Sequence, residues 1–221
     1  MKTIQLLKGA LMIIAASFLF IACSKDDNGG IPSVPKDSEI IYETDFKKDD
    51  GMWLVGENCR FTGGHYEMHG DYYTWTSCIS NLFKTGDVNP TLEAVIKLIG
   101  NSEDNWGGGG IVFNYQSTSN SHSFLAFEIS NDGYVGIFGY KSSTKEWTDI
   151  IDWSLNSNVR KNDYNTLRIV QGTDKIRFSV NGKEVATLPA VAGVDLKNSG
   201  LFVDSYSDLI ATHFRVSKKM Q

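Results

Sequence analysis

From Ile40 onward, apolar residues recur at every second position, and turn-forming residues interrupt the pattern about every ten positions. A helix needs its apolar side chains three and four apart, so this spacing confines the chain to extended strands that turn one face to a core. Leu92, Ala94, Ile96 and Leu98 alternate with Glu93 and Lys97, as in an antiparallel strand covered on one side. Leu125, Phe127 and Ile129 repeat the logic before a turn at Asn131-Asp132-Gly133 leads into Tyr134 to Tyr140. The clearest hairpin has Ile176, Phe178 and Val180 on one face, Asn181-Gly182 as the two positive-φ residues of a type I′ turn, and a return over Lys183 to Thr187. That register predicts Phe178 opposite Val185.

The same reading predicts strands over residues 42–46, 56–61, 65–68, 73–83, 111–115, 146–151, 164–170, 200–204 and 210–217, with no long helix. So many one-sided strands bury their apolar faces most economically as an all-β, two-sheet antiparallel sandwich, with a barrel as the alternative. Order and spacing then add a resemblance. Gly109-Gly110-Ile111-Val112-Phe113, Phe127-Glu128-Ile129-Ser130-Asn131-Asp132-Gly133-Tyr134, Trp147, Asp152-Trp153, Asn165-Thr166-Leu167, Asn181-Gly182, Gly200-Leu201-Phe202-Val203 and Phe214-Arg215-Val216 follow one another as in concanavalin A-like lectin/glucanase jelly rolls. The chain resembles above all the 3-keto-disaccharide hydrolase-like and laminin-G-like members, over about residues 40 to 218. The resemblance implies a jelly-roll sandwich and a carbohydrate ligand. Its matching positions are turns and core strands, which report fold rather than activity.

The first residues carry a different signal. Lys2 and Lys8 precede an apolar run from Leu11 to Ala22 that ends in Phe20-Ile21-Ala22-Cys23, and an acidic, Gly-rich stretch follows. The run is short of the roughly 20 residues that span a bilayer, and the basic start and small residue before Cys23 are those of a cleaved export signal. It resembles the lipobox of bacterial lipoproteins, with Phe20 where Leu is usual. The resemblance implies cleavage before Cys23 and acylation of its thiol, and several acyl chains anchor a protein stably. Lys25-Asp26-Asp27 resembles the surface-export tether of Bacteroidetes lipoproteins, which implies the outer face of the outer membrane. The expected organisation is a signal peptide at 1–22, a lipidated tether at 23–38 and one domain at 39–221. The tether has too few apolar side chains to fold and holds the domain roughly 20 Å from the bilayer.

The net charge of −5 becomes more negative once Lys2 and Lys8 leave with the signal, which argues against a nucleic-acid partner and its need for a basic face. With Cys23 acylated, Cys59 and Cys78 remain in a compartment that permits disulfides, and sequence leaves a bridge and two buried thiols equally open.

Catalytic and metal patterns are fragmentary. A laminarinase-type site sets three acids along one strand as Glu-x-Asp-x-x-Glu; Glu43-Thr44-Asp45 begins it, and Lys48 occupies the third acidic position. His65 and His69 have the spacing of a helical metal pair, but strand geometry sets them about 13 Å apart, so His65, Glu67 and His69 read as a solvated strand face. Asn101, Glu103, Asp104 and Asn105 offer oxygens of the kind calcium takes, at a spacing that fits no fixed loop; no cofactor is assigned. Gly107 to Gly110 lacks the Lys and Ser or Thr of a phosphate loop and reads as a close strand approach.

The aromatic residues carry more functional content. Trp106, Trp147, Tyr115 and Trp75 are the candidates for stacking on a sugar, while Trp153, beside Ile150 and Ile151, reads as core. Glu128 and Asp152 are the candidate carboxylates. Three functions follow in order: glycan capture, glycoside hydrolysis, and a role as adhesin or structural subunit of a surface complex with a protein partner.

Overall fold

The computed structural model describes residues 33–71, 75–84, 86–100, 107–191 and 193–220, with the side chain of Trp75 excepted. Among the described residues, fourteen strands run in order: β1 (Ser38–Thr44), β2 (Cys59–Thr62), β3 (His65–Gly70), β4 (Trp75–Ile79), β5 (Val88–Gly100), β6 (Gly108–Ser117), β7 (His122–Ser130), β8 (Tyr134–Lys141), β9 (Glu146–Leu155), β10 (Asn165–Gln171), β11 (Lys175–Val180), β12 (Lys183–Pro189), β13 (Ser199–Val203) and β14 (Ser207–Lys219). They form a two-sheet antiparallel jelly-roll sandwich. One sheet has the order β12-β11-β10-β5-β14-β3-β2, and the other β4-β13-β6-β7-β8-β9. The long β14 pairs along its length with β5, while β3 and β1 share its opposite edge.

The core lies where the alternation predicts. Leu92, Ala94, Ile96 and Leu98 of β5 meet Phe127 and Ile129 of β7 in one apolar layer. Phe178 bridges the sheets, its ring 5.2 Å from Phe127 and 5.7 Å from Phe113. At the other end, Trp53 packs against Phe46, Tyr66 and Phe214 and donates its indole N–H to Tyr42. Trp53 is therefore a core tryptophan, at 5% exposure.

The hairpin at Asn181-Gly182 has positive φ at both residues, 50° and 76°, as its sequence requires. Its register differs from the simple alternation. Val180 faces Lys183 and Ser179 faces Glu184, but a bulge then sets Phe178 opposite Ala186 instead of Val185. The extra residue on β12 shifts the ladder by one, and Val185 packs against the edge of the core. Cys59 and Cys78 are free thiols, on β2 of the larger sheet and β4 of the smaller, so no bridge joins them.

The outer face of the larger sheet carries charges that neutralise one another. Arg215 binds Glu43 at 2.6 Å and Glu93 at 3.1 Å, with Arg168 at 3.9 Å from Glu93. His213 lies beneath, 1% exposed, and burial, reinforced by Arg215, pushes its imidazole down to about 4, so it is neutral in the fold. Ser33, Val34 and Pro35 line a shallow pocket together with Glu93, Arg168 and Arg215. The acids of Glu43-Thr44-Asp45 belong to this face: Glu43 is held by Arg215, and Asp45 pairs with Lys47. On β3, His65 and His69 both approach Glu67, at 2.8 and 3.6 Å, and Arg60 clasps the same carboxylate. This is the polar strand face that the spacing predicts, and no group of three His, Cys, Asp or Glu among the described residues is placed to hold a metal ion.

Candidate functional site

The smaller sheet has an outer face unlike the wet surface that alternation alone implies. Residues between the core positions of its strands are also apolar: Val112 on β6, Phe124 and Ala126 on β7, and Phe202 on β13 form a second buried cluster. Tyr115, Tyr140 and Cys78 pack against it. The rings form a continuous row. Tyr115 stacks on His122 and Phe124, Phe124 meets Tyr140 at 5.4 Å, and Tyr140 meets Trp147 at 4.8 Å. Trp147 ends the row with its edge against Phe202 at 6.0 Å and 43% of its surface open to solvent.

Beyond Trp147 the face opens into a cleft of about 250 Å³ lined by Glu128, Phe138, Trp147, Asp149, Trp153 and Asp204. Its floor depends on two glycines. A Cβ on Gly108 would come within 2.8 Å of Glu128 Oε2, and one on Gly136 within 2.4 Å of the Phe138 ring. Only a residue without a side chain lets the carboxylate and the Trp153–Phe138 pair, 4.9 Å apart, lie this close to the sheet. Glu128 stands between Gly110 of β6 and Gly136 of β8 and is 2% exposed. Burial, with the Asp204 carboxylate adding to it, holds its carboxyl well above the usual carboxylate range, and burial raises Asp204 too. None of Glu128, Asp149 and Asp204 forms an ion pair with a described residue, and Glu128 has no hydrogen-bond partner among them.

The structure thus brings together three of the residues singled out from sequence: Trp147, Tyr115 and Glu128. Asp152 is a correction. It is exposed, receives a hydrogen bond from the Trp153 backbone N–H and lies outside the cleft, because β9 makes two register shifts against β8. The shift between Asp149 and Ile151 turns Ile151 to the core, and the one between Ile151 and Ser154 returns Trp153 to the outer face; Trp153 is a cleft residue and not part of the core. Trp106 and the oxygen-rich segment Asn101 to Asn105 lie outside the described residues, as does Cys23. Trp75 is on β4 opposite Val203. Sequence reasoning missed Asp149 and Asp204. The signal for Asp149 was its place two residues from Trp147 on one strand; Asp204, just past β13, had none.

No protein-family model matches the sequence, nor does any curated protein. Solved structures do match the fold. The catalytic domain of an endo-1,3-β-glucanase (laminarinase) from Thermotoga petrophila RKU-1 superposes with a TM-score of 0.57 at 10% identity, covering 84% of this chain and 99% of that one. The laminarinase from Rhodothermus marinus gives 0.57 at 12% identity over 83% and 98%. The carbohydrate recognition domain of Emp47p gives 0.59 at 14% identity over 86% and 100%. The fold is that of concanavalin A-like jelly rolls, and at these identities the likeness speaks for the fold alone.

Proposed function

We propose that this protein captures carbohydrate at the cell surface, through the outer face of the smaller sheet. The observation that carries the reading is the row of rings from Tyr115 to Trp147 ending at a cleft whose three carboxyl groups have no ion-pair partner among the described residues. Flat apolar rings stack on the apolar face of a pyranose, and carboxylates beside them accept its hydroxyls, the usual composition of a small-molecule site. At about 250 Å³ the cleft lies below the roughly 300 to 1,000 Å³ of typical ligand pockets, so it suits one sugar ring with the rest of a chain running along the aromatic row. That the similar structures include laminarinases and a carbohydrate recognition domain supports the reading. Titration of the full chain with soluble oligosaccharides should give saturable binding; no binding to any glycan on a broad array contradicts it.

Hydrolysis is the second reading, favoured by Glu128, whose burial keeps a proton available for a glycosidic oxygen while Asp149 or Asp204 serves as the second carboxylate. New reducing ends in the same mixtures, absent with Glu128→Gln, would establish it; intact oligosaccharide leaves capture as the function.

The proposed location is the outer membrane, through acylated Cys23. The mature protein should carry Cys23 as its acylated N-terminus, and mass spectrometry that finds residues 1–22 still attached contradicts the anchor.

A further inference from the structure

The cleft at the end of the aromatic row gathers more carboxyl groups than the hydroxyls of one neutral sugar ring call for. Three carboxyl groups, Glu128, Asp149 and Asp204, surround it, and no lysine or arginine among the described residues pairs with any of them. Other buried or half-buried acids of the domain have a basic partner: Glu43 and Glu93 pair with Arg215, Glu67 with Arg60 and Asp87 with Lys218. The acids are not a metal cage, since no three such groups among the described residues converge on one point. The rings of Trp147, Trp153 and Phe138 line the same cleft. Aromatic faces attract cations through the ring quadrupole, and they favour a cation larger and more weakly hydrated than a metal ion. Glu128 strengthens the case, being 2% exposed, unpartnered among described residues and part of the cleft lining. A buried carboxyl without a partner is costly to keep, and a ligand that supplies its counter-charge removes the cost.

We infer that the cleft recognises a sugar bearing a free ammonium group, an amino sugar without its N-acetyl cap, with Glu128 and Asp149 facing the charge and Trp147 and Trp153 enclosing it. Burial and the Asp204 carboxylate hold the Glu128 carboxyl well above the usual carboxylate range, and an ammonium bound beside it favours the ionised form. Asp204, the other titratable group facing Glu128, adds to the negative potential without competing for the ligand's ring. An N-acetyl group would replace the ammonium with a neutral amide and lose the charge that the carboxyl groups attract.

This inference rests on the carbohydrate reading, and its test separates the two. The full chain is titrated at about pH 6 with three tetrasaccharides: β-linked glucosamine, the same chain fully N-acetylated, and a neutral β-glucan. The free-amine form should bind at least about tenfold more tightly than the N-acetylated form, and the preference should shrink as salt rises from about 50 to 500 mM. Glu128→Gln should abolish the preference while retaining weak binding of the neutral chain. Asp149→Asn, at an exposed position that folding does not depend on, should reduce it by about threefold and guards against a misfolded first variant. Equal or tighter binding of the N-acetylated or neutral chain overturns the inference and leaves carbohydrate capture standing. Failure of all three to bind overturns both.

Discussion

Trp147→Ala is expected to weaken oligosaccharide binding by roughly thirtyfold, which corresponds to about 2 kcal/mol, the loss typical of a central aromatic anchor. The ring is held from behind by Tyr140 at 4.8 Å, Phe124 at 5.9 Å and Phe202 at 6.0 Å, yet 43% of it remains open, so its orientation is fixed before a ligand arrives. A rigid stacking platform loses little entropy on binding, and truncation removes the contact outright. Trp147→Phe, which keeps a flat ring on the same backing, should recover most of the loss. Affinity unchanged in Trp147→Ala, measured by calorimetry on a variant of native circular dichroism, would show that the ligand binds elsewhere.

Glu128→Gln should make the protein more stable at pH 7, by about 1 to 3 kcal/mol, and the gain should vanish near pH 4. The sign follows from linkage. Burial raises the folded carboxyl well above its ordinary 4.5, so above that value the unfolded chain releases a proton that the folded chain keeps. Folding then becomes less favourable by about 1.4 kcal/mol for each pH unit, until pH passes the folded value. Glutamine keeps the shape and has no proton to lose, so denaturation curves of the variant and the wild type should diverge from pH 4 to pH 7. A stability gap that is absent at pH 7, or flat across that range, would show that Glu128 is not the buried, unpartnered acid described above. A residue that destabilises its own fold is a mark of function, because core packing would be served better by an apolar side chain.

Strands such as β5 and β11 were legible because alternate residues carry the apolar side chains of the core. In β5 and β11 every second residue meets the core, and hairpin β11–β12 announced itself through the two residues that tolerate positive φ. What alternation could not show is where it slips. One extra residue at Val185 moved Phe178 opposite Ala186, and the shift near Trp153 carried that side chain from the expected core to the outer face. A bulge adds a residue without altering composition, so it leaves no trace in a count of apolar positions.

The candidate site was half legible. Phe124-Leu125-Ala126-Phe127 in β7 has no polar residue to face water, which marks a strand covered on both sides, and Glu128 next in that run is the acid that both readings single out. Trp147 and Tyr115 stand out in the sequence only as large flat rings. That they join through Phe124 and Tyr140 is a matter of sheet order β6-β7-β8-β9, which no local pattern encodes. Asp204 reaches the cleft only because β13 pairs with β6, a contact between segments far apart in the chain.

The claim beneath all of this is that the outer face of the smaller sheet is where a ligand sits. A crystal structure of the full chain with a bound oligosaccharide tests it most directly. The account predicts a sugar ring stacked on Trp147, with its neighbour in the cleft within hydrogen-bonding distance of Glu128 or Asp149. An oligosaccharide lying across the larger sheet, against Glu93 and Arg215, would contradict it.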